Sequence, residues 1–342
     1  MLKEAIARLM KREDLDRAEI SAVFSEIFSG HATPAQIAGF LVALRMKGET
    51  PEEIAGGAEA MRKNVTKVRA PKGRIVLDTC GTGGDGSHSF NISTAVAFVA
   101  AAAGTTVAKH GARAVSSSCG SADVLSAAGV NIQAPVEVVE RCLEEIGIGF
   151  LFAPNLHELM KHVIGPRREL GIRSVFNLMG PLANPAGATH QLLGVYDSQL
   201  VVVLAKTLVA LGTTRALVVH GEGGLDEISP CGTTRAAWVE NGVVQELEIH
   251  PDQLGMPLVR VEDLRGGDPA QNAERLRAVL NGAEGPLRQA VVLNSAGALW
   301  VSGAASNLEQ GARLAKEILD GGRALAKLRE LIALSSEKQE GR

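Results

Sequence analysis

Apolar residues near the start of the chain recur at helical spacing, with Leu2, Ala5, Ile6 and Leu9 on one face of the first segment. Thr33-Pro34 starts a later helix, and Thr50-Pro51-Glu52-Glu53 starts the next. In the latter a capping threonine precedes proline at the first helical position, and a glutamate closes the capping box. No strand pattern occurs in this stretch, which predicts a small all-helical unit over residues 1–68.

The pattern changes at Arg74-Ile75-Val76-Leu77-Asp78, a compact apolar run expected of a buried parallel strand. A glycine-rich loop follows, then an alanine-rich helix over Asn91–Ala103, a second strand over Thr105–Ala108 and a second helix over Gly120–Ala128. Further on, a strand is predicted over Leu192–Tyr196, a helix over Gln199–Leu211 and a strand over Ala216–His220. Strands alternating with helices imply βαβ crossovers, hence an α/β domain with a mostly parallel sheet covered on both faces. Asn241-Gly242 separates two extended segments as a hairpin turn. Gln289–Leu293 predicts another buried strand, and Asn307–Leu334 is largely helical. The segment from Pro166 to Pro185 carries weaker strand signals. Residues 166–185 are a candidate to complete the helical unit, leaving 69–165 and 186–342 as the large domain.

A length of 342 residues suits this two-part division. Aromatic residues make up only 3%, which disfavours nucleic-acid binding through stacking platforms. A net charge of −3 provides no general attraction to nucleic acid or anionic lipid. Cys80, Cys119, Cys142 and Cys231 are scattered, fitting neither a zinc site nor a disulfide framework. Met1-Leu2-Lys3-Glu4 begins a charged amphipathic pattern and not a signal peptide. The longest apolar run, Ala95–Ala103, is far shorter than the ~20 residues of a membrane helix. A soluble cytoplasmic protein without membrane or nucleic-acid partners is expected.

Gly81-Thr82-Gly83-Gly84-Asp85-Gly86 lies between a predicted strand and a predicted helix, where backbone amides and a helix N-terminus meet a bound anion. Gly81, Gly83 and Gly86 also match the dinucleotide fingerprint, but that fold needs an acid about 20 residues on, where this chain has Lys109. Asp85, set among such amides, suits ribose hydroxyls or a magnesium shell better than a bare phosphate. Ser89, Asn91, Ser93 and Thr94 supply more polar groups than capping needs, while Phe90 and Ile92 are core candidates. Lys109-His110-Gly111-Ala112-Arg113-Ala114-Val115-Ser116-Ser117 forms a second anion-binding segment after the second strand. Two such loops after adjacent parallel strands meet at the carboxyl edge of the sheet.

These residues, with Gly120-Ser121-Ala122-Asp123, Phe176-Asn177, Gly180-Pro181-Leu182, Asn184-Pro185, His220-Gly221 and Leu225-Asp226-Glu227-Ile228-Ser229, resemble the ordered motifs of the anthranilate phosphoribosyltransferases of tryptophan biosynthesis. The resemblance covers about residues 5–335. It implies a small helical domain hinged to a large α/β domain of the nucleoside phosphorylase and phosphoribosyltransferase type, and a homodimer formed through the helical domains. By matched position, Gly81, Gly84, Asp85, Ser89, Asn91, Ile92, Ser93, Thr94, Lys109, Ser117 and Ser121 would bind phosphoribosyl pyrophosphate, with His110, Gly111, Arg113 and Ser116 from the same basic segment. Ser93, Asp226 and Glu227 would hold one or two magnesium ions, and Gly81, Ala112 and Arg167 would line the anthranilate site. Ser89 replaces the family's usual threonine, and Ala112 replaces an asparagine.

The implied reaction displaces pyrophosphate from a ribose carbon through an oxocarbenium-like transition state. Lys109 would neutralise phosphate charge, Arg167 offers a planar fork to a carboxylate, and His157 or His110 is a candidate base. A pyrimidine nucleoside phosphorylase, a non-catalytic nucleic-acid-binding relative and a nicotinamide dehydrogenase are the alternatives. The first has no need of Asp226-Glu227; the others conflict with the net charge and with Lys109 respectively.

Overall fold

The computed structural model describes residues 1–114 and 119–337. Four helices come first: α1 (Leu2–Leu9), α2 (Arg17–Phe28), α3 (Pro34–Lys47) and α4 (Pro51–Lys63). Capping boxes start the last three, built on Asp16 with Glu19, Thr33 with Gln36, and Thr50 with Glu53. Their apolar faces close on one another and on two later helices, Lys161–Leu170 and Val175–Leu182. Phe24 sits at the middle, with ring centroids 5.9 Å from Phe28, 5.6 Å from Phe40 and 5.5 Å from Phe176. Gly57 permits this approach, because a Cβ there would lie 2.3 Å from the Met179 sulfur and 2.7 Å from the Phe24 ring.

Seven strands form one sheet: β1 (Val76–Gly81), β2 (Thr106–Gly111), β3 (Ile148–Phe152), β4 (His190–Gly194), β5 (Arg215–Gly221), β6 (Thr234–Glu240) and β7 (Val243–Ile249). Their order is β3-β2-β1-β4-β5-β6-β7. Pairing is parallel from β3 across to β5 and antiparallel from β5 to β7. After β1 the chain builds outward to β2 and β3, then returns to place β4 on the other side. The order therefore reverses between β1 and β4, the position where α/β sheets bind ligands beyond their carboxyl ends. Alternate residues serve opposite faces: Leu193, Val218 and Val239 join the core shared with the helical unit, while Leu192, Leu217 and Val219 face the other helices of the large domain.

Three expectations are corrected. Gln289–Leu293 lies inside a helix, Pro286–Val301. Ala290 to Leu293 are all buried there, and a continuous apolar run looks the same in a buried helix as in a buried strand. The segment 166–185 is helical, not extended; its two helices carry Pro166 and Pro181 internally, which masked the helical signal. Finally, β2 continues to Gly111, so Lys109 and His110 sit on the strand itself and pair with Phe150 and Leu151 of β3, a strand the sequence pattern did not reveal. The β6–β7 turn is as expected, with Asn241 at φ 51° and Gly242 at φ 77°. Among the described residues no helix is long and apolar enough to cross a membrane, and all four cysteines are free.

Phe24→Ala should destabilise the protein by about 3–5 kcal/mol, read from urea unfolding, because it empties the contact between α2, α3 and helix Val175–Leu182. A loss below about 1 kcal/mol would show that the aromatic cluster does not join these elements.

Candidate active site

Strands β1, β4 and β5 all end in glycine, at Gly81, Gly194 and Gly221. The loop 225–229 lies across these ends. A Cβ on Gly194 would stand 1.6 Å from the Asp226 carbonyl oxygen, one on Gly81 2.3 Å from Asp226 Oδ2, and one on Gly221 2.6 Å from the Glu227 carbonyl oxygen. Asn294 fixes the loop from behind: its Oδ1 accepts from the Ile228 amide at 2.7 Å and its Nδ2 donates to the Ile228 carbonyl at 2.8 Å.

In the glycine loop, Gly83, Gly84 and Gly86 have φ of 65°, 71° and 77°. The Gly83 amide donates to Asp226 Oδ2 at 2.9 Å. Ser87 holds the Asp85 carboxylate, its amide at 3.1 Å and its hydroxyl at 2.6 Å. The loop then leads into helix α5 (Ile92–Ala102). At that start, the Ser93 amide donates to Glu227 Oε1 at 3.0 Å. Asn91 Nδ2 donates to the Cys119 carbonyl at 3.0 Å, and its Oδ1 accepts from Asn272 at 3.1 Å. Ile92 and Thr94 have buried side chains, and their amides donate to the Phe90 and Asn91 carbonyls at 2.7 and 3.2 Å.

Lys109 is buried beside this loop and donates to the Thr79 carbonyl at 2.6 Å and to Ser93 Oγ at 3.3 Å. Burial lowers its pKa, opposed by the fields of Asp78, Glu227 and Asp226. Asp78 is fully buried; it accepts from the His110 amide at 3.2 Å and from Asn184 Nδ2 at 2.8 Å. Burial raises its pKa to about 6, with Lys109 and Asn184 pulling the other way. Burial also raises Asp226 to about 7, with Asp85 adding to the shift. Glu227 is held well above the usual carboxylate range by burial and by Asp226.

His110 and His157 meet Nε2 to Nε2 at 3.1 Å, and burial lowers them to about 3 and about 4. Both imidazoles are therefore neutral at pH 7 and have little affinity for a proton. Arg167 is half-buried, with its guanidinium 5.1 Å from the centroid of Phe176; burial lowers its pKa. Among the described residues that guanidinium has no hydrogen bond or ion pair.

On the second segment, Arg113 pairs with Asp123 at 2.9 Å, and Asp123 also accepts from the amides of Ala114 and Gly120 at 2.9 and 3.0 Å. Arg113 is thus engaged within its own loop. Ser121, the first residue of helix α6 (Ser121–Ala127), donates to the exposed Ala112 carbonyl at 3.5 Å. Ser89 bridges to Arg265, which brings the loop 264–267 against the glycine loop. Ser116 and Ser117 lie outside the described residues. Sequence reasoning missed Asp78, Asn184, Asn272, Asn294 and Arg173 as supports. A charge ending an otherwise apolar strand was the available signal for Asp78.

The fold and this strand-end site are those of a two-part glycosyl transferase: residues 3–65 match "Glycosyl transferase family, helical bundle domain" and residues 73–325 match "Glycosyl transferase family, a/b domain". The chain is 55% identical to the anthranilate phosphoribosyltransferase of Anaeromyxobacter dehalogenans over 98% of its length and 99% of that protein's. It is 52% identical to that of Geobacter sulfurreducens, over 98% of this chain and 100% of the relative. The chain belongs to the anthranilate phosphoribosyltransferase family. The crystal structure of the Thermus thermophilus enzyme superposes with a TM-score of 0.92 at 43% identity, covering 97% of this chain and 99% of that one. The Saccharomyces cerevisiae enzyme in complex with PRPP and Mg superposes at 0.89 with 28% identity, covering 98% of each chain.

The histidine pair yields a pH prediction. Unfolded histidine titrates near ~6.5, so below that pH the unfolded state takes up protons that His110 and His157 refuse until about pH 3 and about pH 4. Their contribution to stability is therefore complete above ~6.5 and falls as acid is added down to the folded values. The imidazole nitrogen shifts of both residues should stay constant from pH 8 to pH 5. A midpoint between pH 6 and 7 for either would overturn this assignment.

Proposed function

We propose that the protein transfers the phosphoribosyl group of 5-phosphoribosyl 1-pyrophosphate to the amine of anthranilate, giving N-(5-phosphoribosyl)anthranilate and pyrophosphate. The observation that carries this function is the convergence of the glycine loop, buried Lys109 and the Asp226–Glu227 pair at one end of the sheet. Relatives that share the whole chain and bear that activity in their names point the same way. A phosphorylase acting on inorganic phosphate has no use for two adjacent half-buried carboxylates.

The residues fit magnesium. Asp226 and Glu227 are held above their ordinary proton affinities, as buried carboxylates lacking a counter-cation are. Among the described residues no three acid, histidine or cysteine side chains form a protein-only cage. That suits an ion that keeps waters and takes substrate oxygens, and the yeast relative was solved with PRPP and Mg. Asp226, Glu227 and the Ser93 hydroxyl would hold it, in one or two ions. When bound, it offsets the charge of the departing pyrophosphate.

The rest falls to the chain itself. Amides of the glycine loop donate to phosphate oxygens, and Asp85 meets ribose hydroxyls or the metal's water shell. Lys109 adds a fixed positive charge beside Ser93. Gly81, Gly84, Ser89, Asn91, Gly111 and Ser121, with Ser116 and Ser117, complete the donor side. Arg167, with no hydrogen bond or ion pair among the described residues, takes the anthranilate carboxylate in a forked contact. The arylamine needs little activation against a nearly cationic carbon, so orientation beside the leaving group provides most of the rate. His110 and His157 border this space as a neutral hydrogen-bonding pair. Two copies associate through the helical units, where Met10 and Met46 are exposed, in a cytoplasmic biosynthetic enzyme.

Anthranilate fluorescence should fall on adding phosphoribosyl pyrophosphate and magnesium, with equal release of pyrophosphate. Its persistence with folded protein would refute the activity. Asp226→Asn with Glu227→Gln should reduce magnesium-dependent turnover by at least ~100-fold while leaving anthranilate binding largely intact, since it removes the metal's charge partners. Full activity in that variant would sink the metal assignment. Ala112→Asn should lower the KM for anthranilate by up to about tenfold, the worth of one added hydrogen bond. An unchanged or higher KM would place residue 112 away from the acceptor.

A further inference from the structure

Arg173 lies between helices Lys161–Leu170 and Val175–Leu182, in the exposed connection joining them. Its guanidinium lies 4.2 Å from the centroid of the Tyr196 ring, and its Nη2 donates to the Gly84 carbonyl in the glycine loop. Among the described residues it forms no ion pair with a carboxylate. Its described contacts are one aromatic face and one carbonyl.

Tyr196 is itself tied to the same loop. The Tyr196 amide donates to the Thr82 hydroxyl at 3.1 Å, and the Thr82 amide donates to the Gly194 carbonyl at 2.9 Å. The Tyr196 ring is half-buried at the seam with the helical unit, within the fields of Arg45 from the last turn of α3 and Glu49 from the α3–α4 connection. Glu49 keeps its side chain 3% exposed, pairs with Arg45 at 3.4 Å, and leaves Oε1 without a partner. The stack on Arg173 thus stands on a packed base.

We infer that Arg173 is a positioning residue for the donor substrate: stacked on Tyr196, it pins the Gly84 carbonyl and so sets which edge of the glycine loop presents amide donors. A trans peptide points its C=O and N–H to opposite edges. Holding Gly84 oxygen toward Arg173 therefore turns the Asp85 N–H to the other side. Gly83, Gly84 and Gly86 present little steric resistance to a peptide flip, so an unpinned loop also samples the orientation that offers a carbonyl to the pyrophosphate. The inference rests on the reading that this loop binds phosphoribosyl pyrophosphate.

Steady-state kinetics on the full-length enzyme test it. Arg173→Ala should raise the KM for phosphoribosyl pyrophosphate about tenfold, the usual worth of a charge-assisted hydrogen bond, with kcat, the KM for anthranilate and Tm unchanged. Tyr196→Ala should raise the same KM, and the double variant should be no worse than Arg173→Ala, because the two act as one unit. Tyr196→Phe keeps the ring face and should behave as wild type. An unchanged donor KM in Arg173→Ala, equal rises for both substrates, or additive effects of the two alanine substitutions would overturn the inference. A wild-type enzyme that fails to consume the donor at all would instead overturn the functional reading beneath it.

Discussion

One buried ammonium in the field of one buried and two half-buried carboxylates is the constraint on which the site depends. Lys109, at the end of β2, is influenced by Asp78, Asp226 and Glu227 together. One positive charge cannot satisfy three negative ones out of water, so protonation or a further cation must complete the balance. All three acids accordingly hold their protons more tightly than usual. A divalent ion arriving with a polyphosphate would make up that shortfall.

The charges can meet only because backbone can approach backbone. Gly81, Gly194 and Gly221 end three neighbouring strands, and any Cβ at these positions would collide with the loop that carries Asp226 and Glu227. Asn294 anchors that loop at Ile228 from the middle of a buried helix. The same helix contributes much of the apolar packing behind the sheet. Site geometry and core stability therefore share residues, and repacking this helix would move a carboxylate pair that it never touches directly.

This division of labour explains what could be read in advance. Local signals were strong where a motif is contiguous: the helix start at Thr33-Pro34, the capping box at Thr50, the glycine loop, the Asn241-Gly242 turn and the Asp226-Glu227 pair. The fold class followed from the alternation of strands and helices. What stayed hidden was nonlocal. Asn294 sits in an apolar stretch whose outline suits a strand as well as a helix, and its partner is 66 residues away. Asp78 and Asn184 are 106 positions apart and meet only once β1 pairs with β4. Arg113 looked like a phosphate ligand by composition, but Asp123 on the following helix claims it. Arg173 and Tyr196 belong to different connections, and nothing in either local sequence announces the other.

The two sides of the site are electrostatically incomplete in opposite senses. On the donor side, carboxylates outnumber the one buried ammonium, and the missing partner is a cation. On the proposed acceptor side, Arg167 is half-buried over the Phe176 ring with no hydrogen bond or ion pair among the described residues, and the missing partner is an anion. The buried His110–His157 pair is neutral and adds no charge to either side. A metal-bound polyphosphate and an aromatic carboxylate correct both imbalances. An acceptor without a carboxylate would leave the guanidinium desolvated and unpaired, at a cost of several kcal/mol. Under the proposed acceptor assignment, a forked contact to Arg167 would carry most of the preference for an acidic arylamine. Alanine at position 112, where the family resemblance implies asparagine, would then remove a neutral hydrogen bond of about 1 kcal/mol and leave the charge pairing in place.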